Sequence, residues 1–400
     1  MIEGLLDNYP DKYSFICLAG AIKHQNYSPL VVDQEKYGTN WVIQPVDGYG
    51  NPEIIRSAIR TEKPDLLWFM TDPRFFGWLW AMEDEIRPLM PMVYYHVWDN
   101  KPYPTYNKKY YESNDLVVTI SKLTSDIVQN VSPDVKEIRH PHAVNPDIFK
   151  KIPKSDCEGV SAALYKQFPQ NEEKIMFFWN NRNAKRKQSG SLIYWFKKFL
   201  DKVGHDKAFL MMHTEPRDPH GQPLDFLIKE WGLDDGQVVL SATKVNPEEL
   251  AMMYNIADCT INIADAEGFG LSSLESLSCG TPVINTMTGG LQEQVTDGEN
   301  WFGIGIEPAS KSVIGSLDVP WIYEDRLSEE QVVASFEKMI SMTSEEREEL
   351  GRLGRQHVDS NYSFKSYVEG WDSILSETIE AHGSWENRKN HKSWSLEEVA

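Results

Sequence analysis

Two glutamates, Glu267 and Glu275, lie eight residues apart around the predicted start of a helix. Residues 259–263 have the short apolar composition of a buried strand, and residues 271–279 carry apolar side chains at helical spacing and end at Gly280. The free N–H groups and the dipole of a helix N-terminus favour a phosphate group there. Carboxylates, in contrast, are good acceptors for hydroxyl groups. The segment therefore favours a ligand that has both a diphosphate and vicinal diols, as a nucleotide-sugar has.

Basic side chains follow the predicted strand 174–179. Cations at the carboxyl end of a parallel strand point into the crevice where such sheets bind ligands. Arg182 would hold a diphosphate through two parallel hydrogen bonds, and Lys187 would act as a point charge. By itself, such a segment would more often be a solvated basic loop. Its combination with the two glutamates favours the interpretation as a diphosphate site.

Paired glycines, Gly289 and Gly290, directly follow the predicted strand 282–285. Glycines before a helix allow the backbone to come close to a phosphate or a sugar. A simple turn is an equally good interpretation of this pair.

A histidine, His96, lies near the end of the predicted strand 91–97. We expect His96 and Asp99 to face the cleft between two domains. A histidine in that place would hydrogen-bond a sugar hydroxyl or a transferring phosphate oxygen, although a structural histidine is an equally good interpretation.

The composition is that of an ordinary globular protein. The chain has 400 residues, of which 41% are hydrophobic and 25% are charged, and a formal net charge of −20. This acidity argues against a nucleic-acid partner and leaves peripheral contact with a membrane open. The four cysteines are scattered, no apolar run has the length of a membrane span, and no signal peptide or HExxH metal motif is present. We therefore expect a soluble, cytoplasmic protein without a metal site.

Strand-like and helical segments alternate along the whole chain, which is typical of parallel sheets. The predicted strands are 13–18, 41–46, 65–70, 91–97, 115–120 and 135–140 in the first half, and 174–179, 208–213, 237–241, 259–263 and 282–285 in the second half. We expect an α/β fold of two tandem Rossmann-like, doubly wound domains, with a cleft between them and helices at the C-terminal end.

The domain boundaries follow from a segment at 140–146 that interrupts both periodicities and contains two prolines. We predict a first domain at 1–148 and a second domain at 149–362. A last helix at 363–382 is expected to pack back toward the first domain, and 383–400 forms a polar tail.

Four motifs together resemble the retaining glycosyltransferases of the two-Rossmann-domain fold called GT-B, and family 4 in particular. They are Glu-x7-Glu at the two glutamates, Arg-x4-Lys at Arg182 and Lys187, Cys-Gly-x-Pro-Val-Ile at 279–284, and Gly-Gly-x-x-Glu at 289–293. The resemblance covers most of residues 60–380 and is most specific in the second half. It implies that the first domain holds the acceptor and that the second binds a nucleotide-sugar donor.

The resemblance also implies roles for single residues. Glu267 would bind the hydroxyls of the donor hexose beside the reaction centre, and Glu275 would bind the ribose diol. Arg182 and Lys187 would neutralise the diphosphate, so that no metal or other cofactor is expected. His96 is similar to the acceptor-domain histidine near the donor sugar. Backbone groups for the sugar and the phosphates would come from Gly268, Phe269, Gly270 and Leu271.

The implied function is a metal-independent, retaining transfer of a hexosyl group to an acceptor hydroxyl on a glycan, a lipid or another small molecule. A nucleotide-sugar epimerase of the same fold is an alternative, but the combination of Arg-x4-Lys with Glu-x7-Glu favours transfer. A catalytically weak nucleotide-sugar binding protein is another, because the chain opens with a predicted helix at 3–8 and lacks a glycine-rich turn after its first strand. Either a first strand is missing or the first domain is abbreviated.

Overall fold

Parallel β-sheets organise both halves of the protein in the computed structural model, which describes residues 1–20 and 23–391. The elements of the first half are α1 Ile2–Asn8, β1 Phe15–Ala19, β2 Leu30–Val31, α2 Gln34–Tyr37, β3 Trp41–Pro45, α3 Pro52–Glu62, β4 Leu67–Thr71, α4 Gly77–Trp80, α5 Glu83–Ile86, β5 Met92–His96, α6 Lys108–Glu112, β6 Leu116–Thr119, α7 Lys122–Val131 and β7 Glu137–Arg139. Among the described residues, no helix is both long and apolar enough to cross a membrane.

The second half continues the alternation and ends in three longer helices. Its elements are α8 Glu158–Gln167, β8 Ile175–Asn180, α9 Ser189–Val203, β9 Ala208–His213, α10 Leu224–Glu230, β10 Val238–Ser241, α11 Pro247–Ile256, β11 Cys259–Asn262, α12 Leu271–Ser278, β12 Val283–Thr286, α13 Leu291–Val295, β13 Gly303–Ile306, β14 Ser310–Ile314, β15 Ile322–Arg326, α14 Glu329–Ser341, α15 Ser344–Asn361 and α16 Phe364–His382. All the strands predicted from the sequence are present within two residues of their predicted bounds. Four others, β2, β13, β14 and β15, were not predicted.

The strands of the first half are divided between two sheets. One has the order β1-β3-β2, with β1 parallel and β2 antiparallel to β3. The other has the order β4-β5-β6-β7 and is parallel throughout. The helix predicted at 3–8 is α1, and β1 follows it as the first strand of the described chain. The turn after β1 includes residues 21 and 22, which lie outside the described residues.

The second half contains a single six-stranded sheet, in which all five strand pairs are parallel. Its order is β10-β9-β8-β11-β12-β13, so that the chain extends the sheet to one side after β8 and to the other side after β11. In doubly wound sheets of this kind, ligands bind beyond the carboxyl ends of the strands at the point of reversal. The carboxyl ends of β8 and β11 are therefore where a site is expected.

The C-terminal segment packs against the first domain. On α16, Asp372 accepts a hydrogen bond of 2.6 Å from the hydroxyl of Tyr13. Beyond α16, the guanidinium of Arg388 donates to the carboxylate of Asp115 at 2.8 Å. The predicted polar tail is thus held to the first domain as far as it is described, and residues 392–400 lie outside the described residues.

One hydrophobic cluster extends across the boundary between the two halves. It includes Tyr95 and Ile120 from the first domain, Phe269 from the second and Trp371 from α16, all of them buried. Gly268 also lies against the first domain, because a Cβ at this position would be 2.9 Å from the carbonyl oxygen of Val97. The packing therefore places the segment between β11 and α12 directly opposite the first domain.

Candidate functional site

A cavity of about 430 Å³ lies between the two domains, at the carboxyl ends of β8 and β11. Its volume is within the range of sites for small ligands. Val97, Asp99, Ile120 and His142 line it from the first domain. From the second domain it is lined by Asn180, Asn181, Arg186, Lys187, Glu267, Gly268, Phe269, Gly270, Leu271, Ser272 and Glu275.

The N-terminus of α12 opens into this cavity, since Leu271 and Ser272 are among the lining residues. Gly270 precedes the helix with φ of +92°, a left-handed conformation, and no side chain caps the first turn. A Cβ at Gly270 would lie 2.4 Å from Cδ2 of Leu291, so glycine is needed here for space as well. Uncapped N–H groups at a helix N-terminus favour an anion. This end of the cavity therefore suits a phosphate.

Two cations and one carboxylate meet beside this helix end. The Nζ atom of Lys187 contacts Oε2 of Glu267, and Nη1 of Arg186 lies 3.4 Å from the same oxygen. Arg186 also donates a hydrogen bond of 2.7 Å to the carbonyl oxygen of Ala266. Burial, followed by the charge of Arg186, lowers the pKa of the Lys187 ammonium well below its usual value. The Glu267 carboxylate opposes this shift, because its contact with Nζ favours the charged form of Lys187.

The second glutamate, Glu275, lies one turn after Leu271 on the same face of α12 and also lines the cavity. The hydroxyl of Tyr254 donates to Oε2 of Glu275 at 2.7 Å, and Nδ2 of Asn180 donates to the Tyr254 hydroxyl at 2.8 Å. Burial raises the pKa of Glu275 to about 7. The carboxyl is thus oriented for hydroxyl donors and titrates near neutrality.

We expect Glu275 to release a proton when a nucleotide-sugar binds at a pH near 7. The ionised carboxylate is the better acceptor for ribose hydroxyls, so binding lowers a pKa that burial has raised to about 7. Calorimetry with a nucleotide-sugar in buffers of different ionisation enthalpy measures the protons exchanged. The Glu275→Gln variant cannot titrate and supplies the baseline for all other groups. Equal proton exchange in the two proteins would contradict this expectation.

The same pKa determines how Glu275 affects the free energy of unfolding of the empty protein. Its pKa is raised in the folded state from an ordinary value of 4.5. A raised pKa means that the folded state holds the proton more tightly than the unfolded state does. The stabilising contribution is therefore fully present below a pH of about 4.5 and is lost as the pH rises through about 7.

The paired glycines lie behind the Glu267 segment and do not line the cavity. The N–H of Gly290 donates to the carbonyl oxygen of Glu267 at 3.0 Å. Gly289 has φ of +48°, and a Cβ there would lie 1.9 Å from the same carbonyl oxygen. The prediction of ligand contact at this pair is therefore corrected: the glycines allow one backbone segment to pack directly on another and so position Glu267.

Substitution of Gly289 by alanine is expected to lower the free energy of unfolding by about 2–4 kcal/mol, because a left-handed conformation and a steric overlap both oppose a Cβ. Gly232→Ala is the matched control, since Gly232 has φ of +65° with nothing within 4 Å of its Cβ position. We expect about 1 kcal/mol for the control. Denaturant unfolding measures both values. Equal losses would show that the contact with Glu267 is unimportant.

His96 does not face the cavity, contrary to the prediction. Its side chain is fully buried, with Nδ1 2.8 Å from the hydroxyl of Tyr94 and Nε2 2.9 Å from that of Tyr111. Burial lowers its pKa to about 3. The residue at the end of β5 points into the core of the first domain, where both ring nitrogens have partners. His96 is therefore a structural histidine.

The histidine that lines the cavity is His142, which lies in the segment 140–146 between the two predicted domains. Its Nδ1 lies 3.0 Å from the hydroxyl of Tyr95, and its ring meets that of Phe269 edge-on at 5.1 Å. Burial lowers its pKa to about 4, so the ring is neutral at physiological pH. The position of His142 in the segment between the two predicted domains is the sequence feature that could have indicated its place in the cavity. Asp99, from the end of the same strand as His96, does line the cavity as predicted.

Arg182 is also outside the lining of the cavity. Its side chain is 62% exposed and forms an ion pair with Asp218, with Nε 2.6 Å from Oδ2. The chain leaves β8 at Asn180, and a 3-10 turn at Lys185–Lys187 then brings Arg186 and Lys187 to the cavity. Arg186, and not Arg182, therefore lines the cavity in this structure, and diphosphate binding by Arg182 stays a prediction.

Comparisons with known proteins agree with this architecture. Residues 162–312 match the family model for Glycosyl transferases group 1. A D-inositol 3-phosphate glycosyltransferase of Paenarthrobacter aurescens (strain TC1) is 30% identical over 159 residues, which are 40% of this chain. The match spans 31% of the length of that relative, and smaller shares of the next two curated relatives.

Solved structures resemble nearly the whole chain. Sucrose-phosphate synthase from Thermosynechococcus elongatus has a TM-score of 0.73 at 14% identity, covering 95% of this chain and 92% of that one. HepE from Anabaena, solved in complex with UDP and glucose, has a TM-score of 0.67 at 14% identity and covers 94% of both chains.

These findings confirm the predicted two-domain α/β architecture with parallel sheets, a cleft and C-terminal helices. The resemblance to glycosyl transferases group 1 is confirmed for residues 162–312, which hold all six strands of the second sheet and the Glu267–Glu275 motif. They also support the prediction that the protein is a transferase enzyme.

Proposed function

We propose that this protein is a retaining glycosyltransferase of family 4 that transfers a hexosyl group from a nucleotide-diphospho-sugar to an acceptor hydroxyl without a metal ion. One observation carries the proposal. Glu267, Lys187 and Arg186 meet at the uncapped N-terminus of α12, with Glu275 one turn further along the helix. The donor has a hexose, a diphosphate and a ribose in this order. They would meet Glu267, the two basic residues and Glu275, respectively.

The diphosphate would bind between the two cations and the helix terminus. Arg186 offers a planar fork for two phosphate oxygens, and Lys187 offers a compact charge that a neighbouring anion favours against the effect of burial. Fixed cations and N–H groups stabilise the charge that develops on a departing diphosphate, and they need not reorganise during the reaction. This arrangement supplies the role that a metal ion has in other phosphate sites.

Glu267 changes partners when the donor binds. In this structure it contacts Lys187, and a bound diphosphate would take over that cation. The released carboxylate would then accept hydrogen bonds from hexose hydroxyls beside the anomeric carbon and would stabilise positive charge in an oxocarbenium-like transition state. The acceptor hydroxyl attacks the anomeric carbon from the face that the diphosphate leaves and passes its proton to the departing diphosphate oxygen, so that no side-chain nucleophile is required.

The relatives suggest which donor to test first. HepE was solved with UDP and glucose, which makes UDP-glucose the first probe for this cavity. The similar D-inositol 3-phosphate glycosyltransferase acts on a small phosphorylated polyol, and this class of acceptor belongs in the first trials. Glycan and lipid acceptors complete the panel.

A thermal-shift panel of UDP-, GDP- and ADP-sugars, with and without EDTA, tests the proposal. A true donor raises the melting temperature by mass action, and we expect the shift to be unaffected by EDTA. NMR of the product then identifies the anomer, which we expect to have the configuration of the donor. A stabilising donor that requires a metal, or a product of inverted configuration, would contradict those parts of the proposal.

The same experiment distinguishes the alternatives. Conversion of the donor sugar in the absence of any acceptor would indicate an epimerase. Tight donor binding without hydrolysis or transfer would indicate a binding protein. Absence of binding by every nucleotide-sugar in the panel would overturn the proposed function.

A further inference from the structure

A β-hairpin lies outside the six-stranded sheet and bridges the two domains. It consists of β14 and β15, which pair antiparallel between β13 and α14. One edge of β15 hydrogen-bonds to both domains: the N–H of Tyr323 donates to the carbonyl oxygen of Lys101 at 2.6 Å, and the N–H of Asp325 donates to that of Asp265 at 3.0 Å. Nδ2 of Asn100 donates to the carbonyl oxygen of Tyr323 at 2.7 Å. In the sequence, the contacts to Asn100 and Lys101 directly follow Asp99. The contact to Asp265 is two residues before Glu267.

Asp265 connects the hairpin with the cationic turn of the cavity. Its carboxylate accepts hydrogen bonds from Nη1 of Arg326 at 2.5 Å and from Nε2 of Gln188 at 2.6 Å. Its N–H donates to the carbonyl oxygen of Arg186 at 2.8 Å. The side chain of Asp265 is only 4% exposed. Burial raises the pKa of this carboxyl to about 6, so its ionised form depends on these partners.

Arg326 is itself held in a fixed orientation. Its Nε donates to the hydroxyl of Ser312 at 3.2 Å, and its Nη2 contacts the carboxylate of Glu324. Ser312 and Glu324 face each other across the hairpin, so the guanidinium is held to both strands. None of these residues lines the cavity.

We propose that Arg326 is a positioning residue, which acts through Asp265 to hold the Arg186–Lys187 turn and the Glu267 segment in their relative places. The hairpin thereby makes the arrangement of the donor site depend on contact with the first domain at Asn100 and Lys101. This inference rests on the proposed function. It adds the ion pair between Arg326 and Asp265 as a requirement for the site, and this pair is not part of the motifs around Glu267.

The reason is the cost of leaving Asp265 buried without its cation. Removing one partner of a buried ion pair leaves a charge that must be neutralised or move to water. Either change loosens the hydrogen bond that Asp265 accepts from Gln188 and the one that its N–H donates to Arg186. A displacement of about 1 Å in a catalytic arrangement is enough to reduce the rate about 100-fold.

The test compares Arg326→Met with Arg217→Met. Arg217 forms an exposed ion pair with Asp225 on the same domain, with Nη2 2.6 Å from Oδ2. For the Arg326 variant we expect kcat for UDP-glucose turnover to fall about 30-fold, with less than about a fivefold loss in UDP affinity, because a misplaced site loses more in the transition state than in the ground state. Arg326→Lys keeps the charge but loses the planar set of N–H donors. We expect its kcat to lie between those of Arg326→Met and Arg217→Met. An Arg326→Met variant with the kcat and KM of Arg217→Met would overturn the inference.

Hydrogen exchange provides a readout that does not depend on activity. Arg326→Met should increase exchange in peptides covering 185–190 and 264–268, whereas Arg217→Met should not. If Arg326→Met does not fold, Asp265→Asn carries the same expectation, because it removes the charge at nearly constant volume. Unchanged exchange in these peptides would overturn the inference. If the wild-type protein neither binds UDP nor turns over UDP-glucose, the proposed function has failed for that donor, and the exchange comparison still decides whether Arg326 positions the segment.

Discussion

Replacement of Glu267 by alanine is expected to abolish hexosyl transfer and, at the same time, to strengthen the binding of UDP. Transfer should fall at least about 1,000-fold, because the variant loses the carboxylate beside the developing positive charge. UDP binding should become about fivefold to tenfold tighter, since the diphosphate no longer competes with Glu267 for Lys187 and Arg186. Opposite effects on catalysis and on binding are characteristic of a side chain that pairs with the cations of its own site.

Calorimetric titration with UDP and a product assay with the selected donor measure the two effects. Glu267→Gln separates the charge from the shape of the side chain and should resemble alanine in binding. Glu248→Ala, at an exposed position on α11, is a control for loss of an acidic residue and should leave both values unchanged. Transfer at the wild-type rate, or weaker binding of UDP, would contradict the role given to Glu267.

Arg186→Ala should reduce transfer about 100-fold and weaken UDP binding, because the guanidinium lines the proposed diphosphate site and is already oriented by its hydrogen bond to the carbonyl oxygen of Ala266. Arg182→Ala should change either value by less than about threefold, since the Arg182 side chain is exposed and paired with Asp218. The two arginines are four residues apart in one loop. The pair therefore tests the geometry of the site with closely matched substitutions.

Steady-state rates and UDP titrations of both variants, measured at the same ionic strength, decide between the assignments. An inactive Arg182→Ala protein together with an active Arg186→Ala protein would restore the assignment from the Arg-x4-Lys motif. It would also show that the loop after β8 rearranges when the donor binds.

Local patterns were sufficient to predict most of the fold. The buried strands β8 and β9 each contain five consecutive apolar residues, and each is recognisable without knowledge of its neighbours. The hairpin of β14 and β15 was not predictable in this way, because β14 is exposed at four of its five positions and has no hydrophobic face. Its strands are fixed by contacts with residues 100–101 and 265, which are distant in the sequence.

The candidate site was also predictable only where local sequence patterns determine the position of a residue. Glu267, Glu275 and Lys187 lie next to a helix end or a strand end whose direction the sequence indicates, and the structure brings them together. His96 and Arg182 do not line the cavity, because the face of a strand end and the path of a loop depend on tertiary packing. The hydroxyls of Tyr94 and Tyr111 hold His96 inside the first domain, and no local pattern shows this.

A crystal structure of the protein with UDP-glucose, or with the donor that the thermal-shift panel selects, tests the central claim most directly. We expect the diphosphate within about 3 Å of Arg186 and Lys187 at the N-terminus of α12. The hexose hydroxyls should lie on Glu267 and the ribose diol on Glu275. A donor bound outside this cavity, or one whose diphosphate contacts neither cation, would contradict the account.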